Sequence, residues 1–499
     1  MTTPRHAIRA GSAKTKFAGP TTYIDAYDNS IRSYCFSYLS PTVQTSYLHS
    51  ADGRTTAFTG PAASLVANGD VNIKPAQIIE GGSLVWRMQD PSKGYAKYSA
   101  TGLLLREDLI SGAQLAYTYS DVTTLPSIAP RPGLLLAVSD QFGRSINFTW
   151  NAAAQPATMK DPAGGNYQYA YDSNANLASV TYPDTRSKQY LYEPSLIAGG
   201  TPCTAPWGMS YAVQNALTGV VDENGARFAT FTYDCYGNAL SSEHAGGRDR
   251  TTFNYANTSA PVETDPLGTV RTHSFSQILS VNRPTGITLS SGGADPSPIR
   301  IKTRAYDGNG NVASVDDFTG NRSCMGYDTG RNLEISRVEG LGSTAVCSTY
   351  LATNATLPAG SRKVSTQWHP DWRLEAKRAE PGKLTTSVYN GQPDPFNANA
   401  IASCAPGTAL LPDGKPIAVL CRQVEQATTD ANGSQGFGAA LQAGVANREQ
   451  KWTYNQYGQV LTYDGPRTDV ADVTTYAYYS DTSFTGIDPN AVGHTLGDL

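Results

Sequence analysis

The sequence predicts an all-β chain of repeated, stacked β-hairpins. Three observations lead there. The composition favours short strands and tight turns, one heptapeptide is written twice, and an Asp–Gly spacing recurs in register with it. Of 499 residues only 39% are apolar and 16% charged, and the weight falls on Gly (47), Pro (30) and Tyr (29). Both fractions are low for a globular chain. Tyr is a strand former whose polar tip reaches water from a half-buried sheet. Gly, Asn, Asp and Pro each fit turns for their own stereochemical reason.

The heptapeptide comes first. "YDGNGNV" (306–312) is followed by "YDTGRNL" (327–333), 21 residues on. The same step aligns Asp140 with Asp161, Gly143 with Gly164 and Trp150 with Tyr171. Asp265, Gly268 and Phe275, and Asp317, Gly320 and Tyr327, keep those offsets. One unit is therefore D-x-x-G, a strand ending at an aromatic, a second Asp turn and a second strand. In each turn the Asp side chain is expected to bond backbone N–H groups while Gly takes a positive φ. Along "NYQYAYD", Tyr167, Tyr169 and Tyr171 share one face. Two strands and two turns fill roughly 21 residues.

The positions expected to carry the repeat are Tyr171 and Asp172; Tyr233, Asp234, Gly237 and Asn238; Tyr306, Asp307, Gly310 and Asn311; Tyr327, Asp328, Gly330 and Asn332; and Tyr454 with Gly458. Tyr98 and Tyr119 form an early copy. Tyr171 to Tyr233 is close to three periods, Tyr233 to Tyr306 implies an insertion, and Tyr327 to Tyr454 is about six periods interrupted by long loops. The chain divides into a less regular segment 1–80, a repeat array 81–340, degenerate repeats with long Pro/Gly-rich loops 341–450, and further repeats 451–499 that stop within a unit at "GHTLGDL". A short helix is the reading for 436–450, against the weight of its glycines.

"YDGNGNV", "YDTGRNL" and "YDCYGNAL" resemble the tyrosine–aspartate repeats of the Rhs/YD-repeat family. So do the longer stretches 221–247, 421–437 and 460–482, and the resemblance covers roughly residues 80–499. It implies a spiralling, open-ended β-sheet solenoid that forms a shell, like those of bacterial Rhs polymorphic toxins, the C components of Tc toxins and the teneurins. In the toxins the shell encloses a variable C-terminal toxin. The implied partners are a toxin polypeptide and secretion-system components. The implied location is cytoplasmic before export, then secreted or envelope-associated by a non-classical route. The early stop reads as the front part of a shell, from a truncated gene or a fragment. A carbohydrate-binding surface adhesin is the second reading, and a non-functional remnant of a larger gene the third.

Other chemistry finds little support. The net charge is −4 with both signs scattered, which argues against nucleic acid. No apolar run is long enough to span a bilayer. The N-terminal "MTTPRHAIRAGSAKTKF" has no apolar stretch after its basic residues, unlike a secretory signal. Seven cysteines (Cys35, Cys203, Cys235, Cys324, Cys347, Cys404 and Cys421) form no CxxC pair. Seven small buried thiols is the favoured reading, and a Cys404–Cys421 disulfide pinning a Pro/Gly-rich loop the alternative. The six histidines (His6, His49, His244, His273, His369 and His494) form no H-E-x-x-H or H-x-H, and no acid–His–nucleophile grouping appears. Asp307, Asn309 and Asn311 open like a calcium loop. Val312 stands where the turn glycine belongs and Phe318 where the bidentate Glu belongs, so a turn is the reading. "DPLG" (265–268) reads as a turn, and Asp316 and Asp317 point to opposite faces. The expectation is a structural protein, not an enzyme, with no cofactor or metal.

Overall fold

A computed structural model of the chain describes residues 7–8, 36–37, 44–49, 55–60, 65–67, 71–198, 215–279, 281–290, 301–479 and 497. Nearly all lie in antiparallel strands or the turns between them. From Lys74–Glu80 onward the strands pair in chain order, which is what short turns between hairpins dictate. Among the described residues no register joins Lys74–Glu80 to the last strand, Val473–Thr475, so this long antiparallel sheet is not closed on itself. Two compact units divide the chain.

The unit of residues 124–130 and 146–322 is the plainer one. Its strands Pro156–Lys160, Asn166–Tyr171, Leu177–Thr181 and Ser187–Leu191 form a meander. Exposure alternates along Asn166–Tyr171, with Tyr167, Tyr169 and Tyr171 on the covered face. The meander continues through Arg227–Tyr233 and Ala239–His244 to Ile301–Tyr306 and Val312–Asp317.

The other unit holds residues 1–123, 131–145 and 323–499. At its start a separate sheet pairs Gln44–His49 with Thr55–Gly60, joined by Ala7–Ile8, Phe36–Ser37 and Val66–Ala67. Lys74–Glu80 then turns into Ser83–Asp90 through Gly81 and Gly82, both at positive φ, as a two-residue hairpin loop requires. Leu48, Phe58, Trp86, Met88, Tyr98 and Leu104 form one buried cluster.

Two insertions interrupt this unit's meander. Residues 343–361 carry the α-helix Cys347–Leu351 and pack Leu357 against Val338 and Leu341. Residues 390–419 separate the paired strands Lys383–Tyr389 and Leu420–Ala427 and bury Ala409, Leu411 and Ile417 with Trp372 and Tyr95. Each insertion is stapled by a disulfide, Cys324–Cys347 and Cys404–Cys421, with Cα atoms 5.4 Å apart in both. Cys235 is disulfide-bonded as well. The favoured reading of free thiols is thus overturned for the five described cysteines, and the Cys404–Cys421 alternative is the arrangement found. Cys35 and Cys203 lie outside the described residues. The expected helix in 436–450 is reduced to one turn, Gly436–Gly438. Thr428 and Leu441 form a β-bridge across that loop instead, and the strand Arg448–Tyr454 begins at its end.

Candidate functional site

The site expected from sequence is the repeat turn, and its geometry repeats at atomic level. At Asp172 the backbone N–H donates to the Asn176 carbonyl, and the Asp172 carbonyl accepts from Ala175. Oδ1 accepts the N–H groups of Asn174 and Asn176 at 2.9 and 2.8 Å, and Oδ2 accepts the Asn176 amide at 3.1 Å. Asp234 binds Tyr236, Asn238 and the Asn238 amide in the same way. Asp307 does so with Asn309, Asn311 and the Asn311 amide. One carboxylate thereby satisfies the N–H groups that a tight turn leaves unpaired. Gly237 and Gly310 sit at φ 81° and 78°, where a side chain is strained.

The tyrosine before the Asp has a different task. The Tyr171 hydroxyl donates to the carbonyl of Pro156, fifteen residues back, at the start of the preceding strand, with which its own strand is paired. Tyr119 reaches Leu104, Tyr192 reaches Leu177, Tyr233 reaches Leu217 and Tyr306 reaches Pro284. Tyr389, Tyr454 and Tyr478 reach Glu375, Leu420 and Val460. The strand register shifts at these same places: between Thr118 and Tyr119, Ala170 and Tyr171, Thr232 and Tyr233, Ala305 and Tyr306, Val388 and Tyr389, and Thr453 and Tyr454. A bulge re-aims a side chain and sharpens twist. Here the register shifts against the following strand, while the hydroxyl bonds a backbone carbonyl of the preceding one. Burial pushes the hydroxyls of Tyr171 and Tyr454 up to about 12, so they remain donors.

Residues 130–289 match the family described as the teneurin YD-shell. Over that stretch the chain is similar to the YD-repeat shells. No curated protein matches its sequence. Among solved structures it is similar to the TcdB2–TccC3 complex, at 11% identity and a TM-score of 0.43, over 86% of this chain and 22% of that one. It is also similar to a Photorhabdus luminescens Tc holotoxin pore with a mutated TccC3, at 12% identity and a TM-score of 0.36, over 87% of this chain and 24% of that one. The chain thus spans less than a quarter of the length of these two solved chains.

Within this YD-repeat frame the doubled heptapeptide is not one turn used twice. Asp328 accepts the Gly330 N–H, and Arg331 N–H donates to the Asp328 carbonyl, but the positive φ (52°) falls on Asn332. Gly330 stands one position early and is not the left-handed residue. Arg331 occupies the place of Gly310, and its guanidinium donates to the carbonyls of His369 and Trp372 at 2.7 and 3.2 Å. The turn gave up its glycine to tie down the next loop.

The remaining candidates also resolve into structure. Both Asp307 oxygens face the turn's own donors, so the calcium-like spacing serves the Asx ring. Asp316 accepts from Arg322 and Thr303, while Asp317 accepts from Thr319 and Asn321. The two carboxylates therefore have separate partners. In "DPLG", Asp265 accepts from Leu267, Thr269 and Arg271, and Gly268 has φ 81°. Burial opposes ionisation of Asp265 and Asp317. Arg271 with turn N–H groups outweighs it at the first, and Asn321 and Thr319 outweigh it at the second, holding both at about 2.

Of the histidines, His273 meets Glu263 at 2.9 Å and His244 packs edge-on to Phe228. His49 lies on the strand Gln44–His49, and His6 and His494 lie outside the described residues. His369 is buried, and its Nδ1 accepts the N–H groups of Asp371 and Trp372 at 3.1 and 3.2 Å. Burial drives its pKa down to about 4, with Arg331 and Lys415 pushing the same way and Asp371 opposing. Sequence reasoning missed this residue as a structural acceptor. It missed the roles of Tyr192, Tyr389 and Tyr478 too, although Tyr192 falls one period after Tyr171.

Proposed function

We propose that this chain forms part of a YD-repeat shell that encloses a toxin polypeptide and helps deliver it in bacterial competition. The observation that carries the reading is how the repeat uses its polar groups. The Asp carboxylate goes to its own turn, and the tyrosine hydroxyl goes to the backbone of the adjacent strand. Such a repeat makes a wall, and the match of residues 130–289 to a YD-shell supports it. The disulfides Cys324–Cys347 and Cys404–Cys421 favour an oxidising destination outside the cytosol, in line with export. Secretion-system components are the further partners this reading entails. Rings such as Tyr167 and Tyr182 meet edge-on at 82° rather than as a flat sugar platform, which favours the wall over the glycan-binding adhesin.

The test is protease protection of the native gene product. A shell with cargo should shield a polypeptide outside the repeats until guanidinium opens the fold. Digestion of everything outside the repeats at first exposure would overturn the reading. A glycan array should be blank, and a reproducible hit would favour the adhesin.

A further inference from the structure

Three adjacent strands carry a cation at one register. Arg87 on Ser83–Asp90 stands opposite Lys97 on Gly94–Ser99, and Lys97 stands opposite Arg106 on Leu104–Leu109. Beyond the row lie Ala76 and Ala116. Directly opposed side chains are close neighbours, and like charges there destabilise a sheet. The compensation is incomplete. Glu80 meets Lys97 at 3.0 Å and Asp108 meets Arg106 at 2.5 Å. Arg87 instead donates to the Pro412 carbonyl at 3.0 Å and lies 5.5 Å from the centre of the Tyr95 ring. Among the described residues it meets no carboxylate within ion-pair distance.

The row lines a cleft of about 370 Å³. Leu411 and Pro412, from the insertion 390–419, form a wall of it, so the Cys404–Cys421 staple holds that wall in place. Lys97 and Arg106 keep 27% and 41% of their side chains exposed, and Glu80 and Asp108, which pair with them, line the same cleft. A cleft of this size suits a small molecule. Guanidinium groups bind planar and tetrahedral oxyanions in fork geometry, and an ammonium between them adds a point charge.

We propose that this cleft binds a small organic polyanion, with Arg87, Lys97 and Arg106 gripping two or more carboxylate or phosphate groups and the Leu411–Pro412 wall covering its carbon frame. The anion would supply the charge that the row lacks.

The test uses the full chain, with citrate as the polycarboxylate probe and inorganic pyrophosphate as the phosphate probe. Thermal unfolding and calorimetric titration follow each, against sodium chloride at matched ionic strength. The expected result is a saturable rise in Tm with at least one probe, and the probe that acts names the anion class. Arg87→Gln should weaken binding at least tenfold. Lys97→Met should abolish the response while raising or preserving the Tm of the anion-free chain. Lys93→Gln, which removes a cation outside the row, should leave binding unchanged. The absence of any saturable response beyond sodium chloride would overturn the proposal. So would equal responses from wild type, Arg87→Gln and Lys97→Met.

Discussion

Among the described residues the hairpins between 146 and 322 come nearly bare, whereas between 323 and 479 two connections swell into disulfide-stapled insertions with cores of their own. In the first stretch the buried apolar side chains are scattered singly, as Met159, Val180, Ile197 and Ala229. In the second, Val338, Leu341 and Leu357 cluster under one insertion, and Trp372, Leu411 and Ile417 under the other. A lone hairpin layer covers each face only partly, as the alternating exposure of Asn166–Tyr171 shows. The bare stretch therefore leans on turn rings and tyrosine links. The decorated one adds hydrophobic burial, which is the larger source of stability per residue.

Substitutions can break this contrast. The largest effect is expected at Gly458, whose φ is 75° and where a Cβ would run into the Ser111 carbonyl. Gly458→Ala should cost about 4 kcal/mol or more in urea unfolding. Gly225→Ala, in a bare turn with open space around it, should cost about 1 kcal/mol. Equal losses would mean that the turn conformation alone matters.

Acid should act on the decorated stretch next. The folded His369 takes its proton near 4 and the unfolded one near 6.5. Its contribution is therefore complete above pH 6.5 and is lost as pH falls toward 4, by about 3 kcal/mol. The carboxylates of Asp265 and Asp317 weaken the fold only lower, between their ordinary value near 3.8 and about 2. Urea midpoints from pH 7.5 to 4.5 should fall in wild type and stay flatter in His369→Asn. Parallel curves would remove His369 from the account.

Breaking Cys404–Cys421, which closes a separation of 17 residues, should cost about 3 kcal/mol. Hydrogen exchange should then quicken in 390–419 and leave Asn166–Tyr171 unchanged. Uniform loosening would show the two stretches to be one cooperative block. The smallest effect is a gain. Ala175 holds φ 66° at the place where Gly310 sits in its own turn, so Ala175→Gly should add about 0.5 kcal/mol to the bare stretch.

What the sequence displayed was the local chemistry. An Asp three residues before a Gly announces its ring, and alternating tyrosines announce a face. The bulge at each tyrosine was hidden, because a one-residue register shift leaves the pattern of residue types unchanged. Gly330 misled for a related reason: its neighbour Asn332 tolerates positive φ, so the turn did not need the glycine. The Cys404–Cys421 staple was legible as an alternative, whereas Cys324–Cys347 was not, because a disulfide joins residues that only the folded sheet brings together. The cationic row was equally hidden, since Arg87, Lys97 and Arg106 become neighbours only through strand register.

The tyrosine link joins two paired strands at the open end of their hairpin and ignores what happens at the other end. Tyr171 reaches back 15 residues, yet Tyr454 makes the same link across 34, because the loop 428–447 lies at the opposite end. The period in the sequence is therefore set by loop length, and the sheet itself does not require it. Every turn at the unlinked end, such as Tyr182–Arg186, is a port where foreign polypeptide can be grafted while the wall stays stitched.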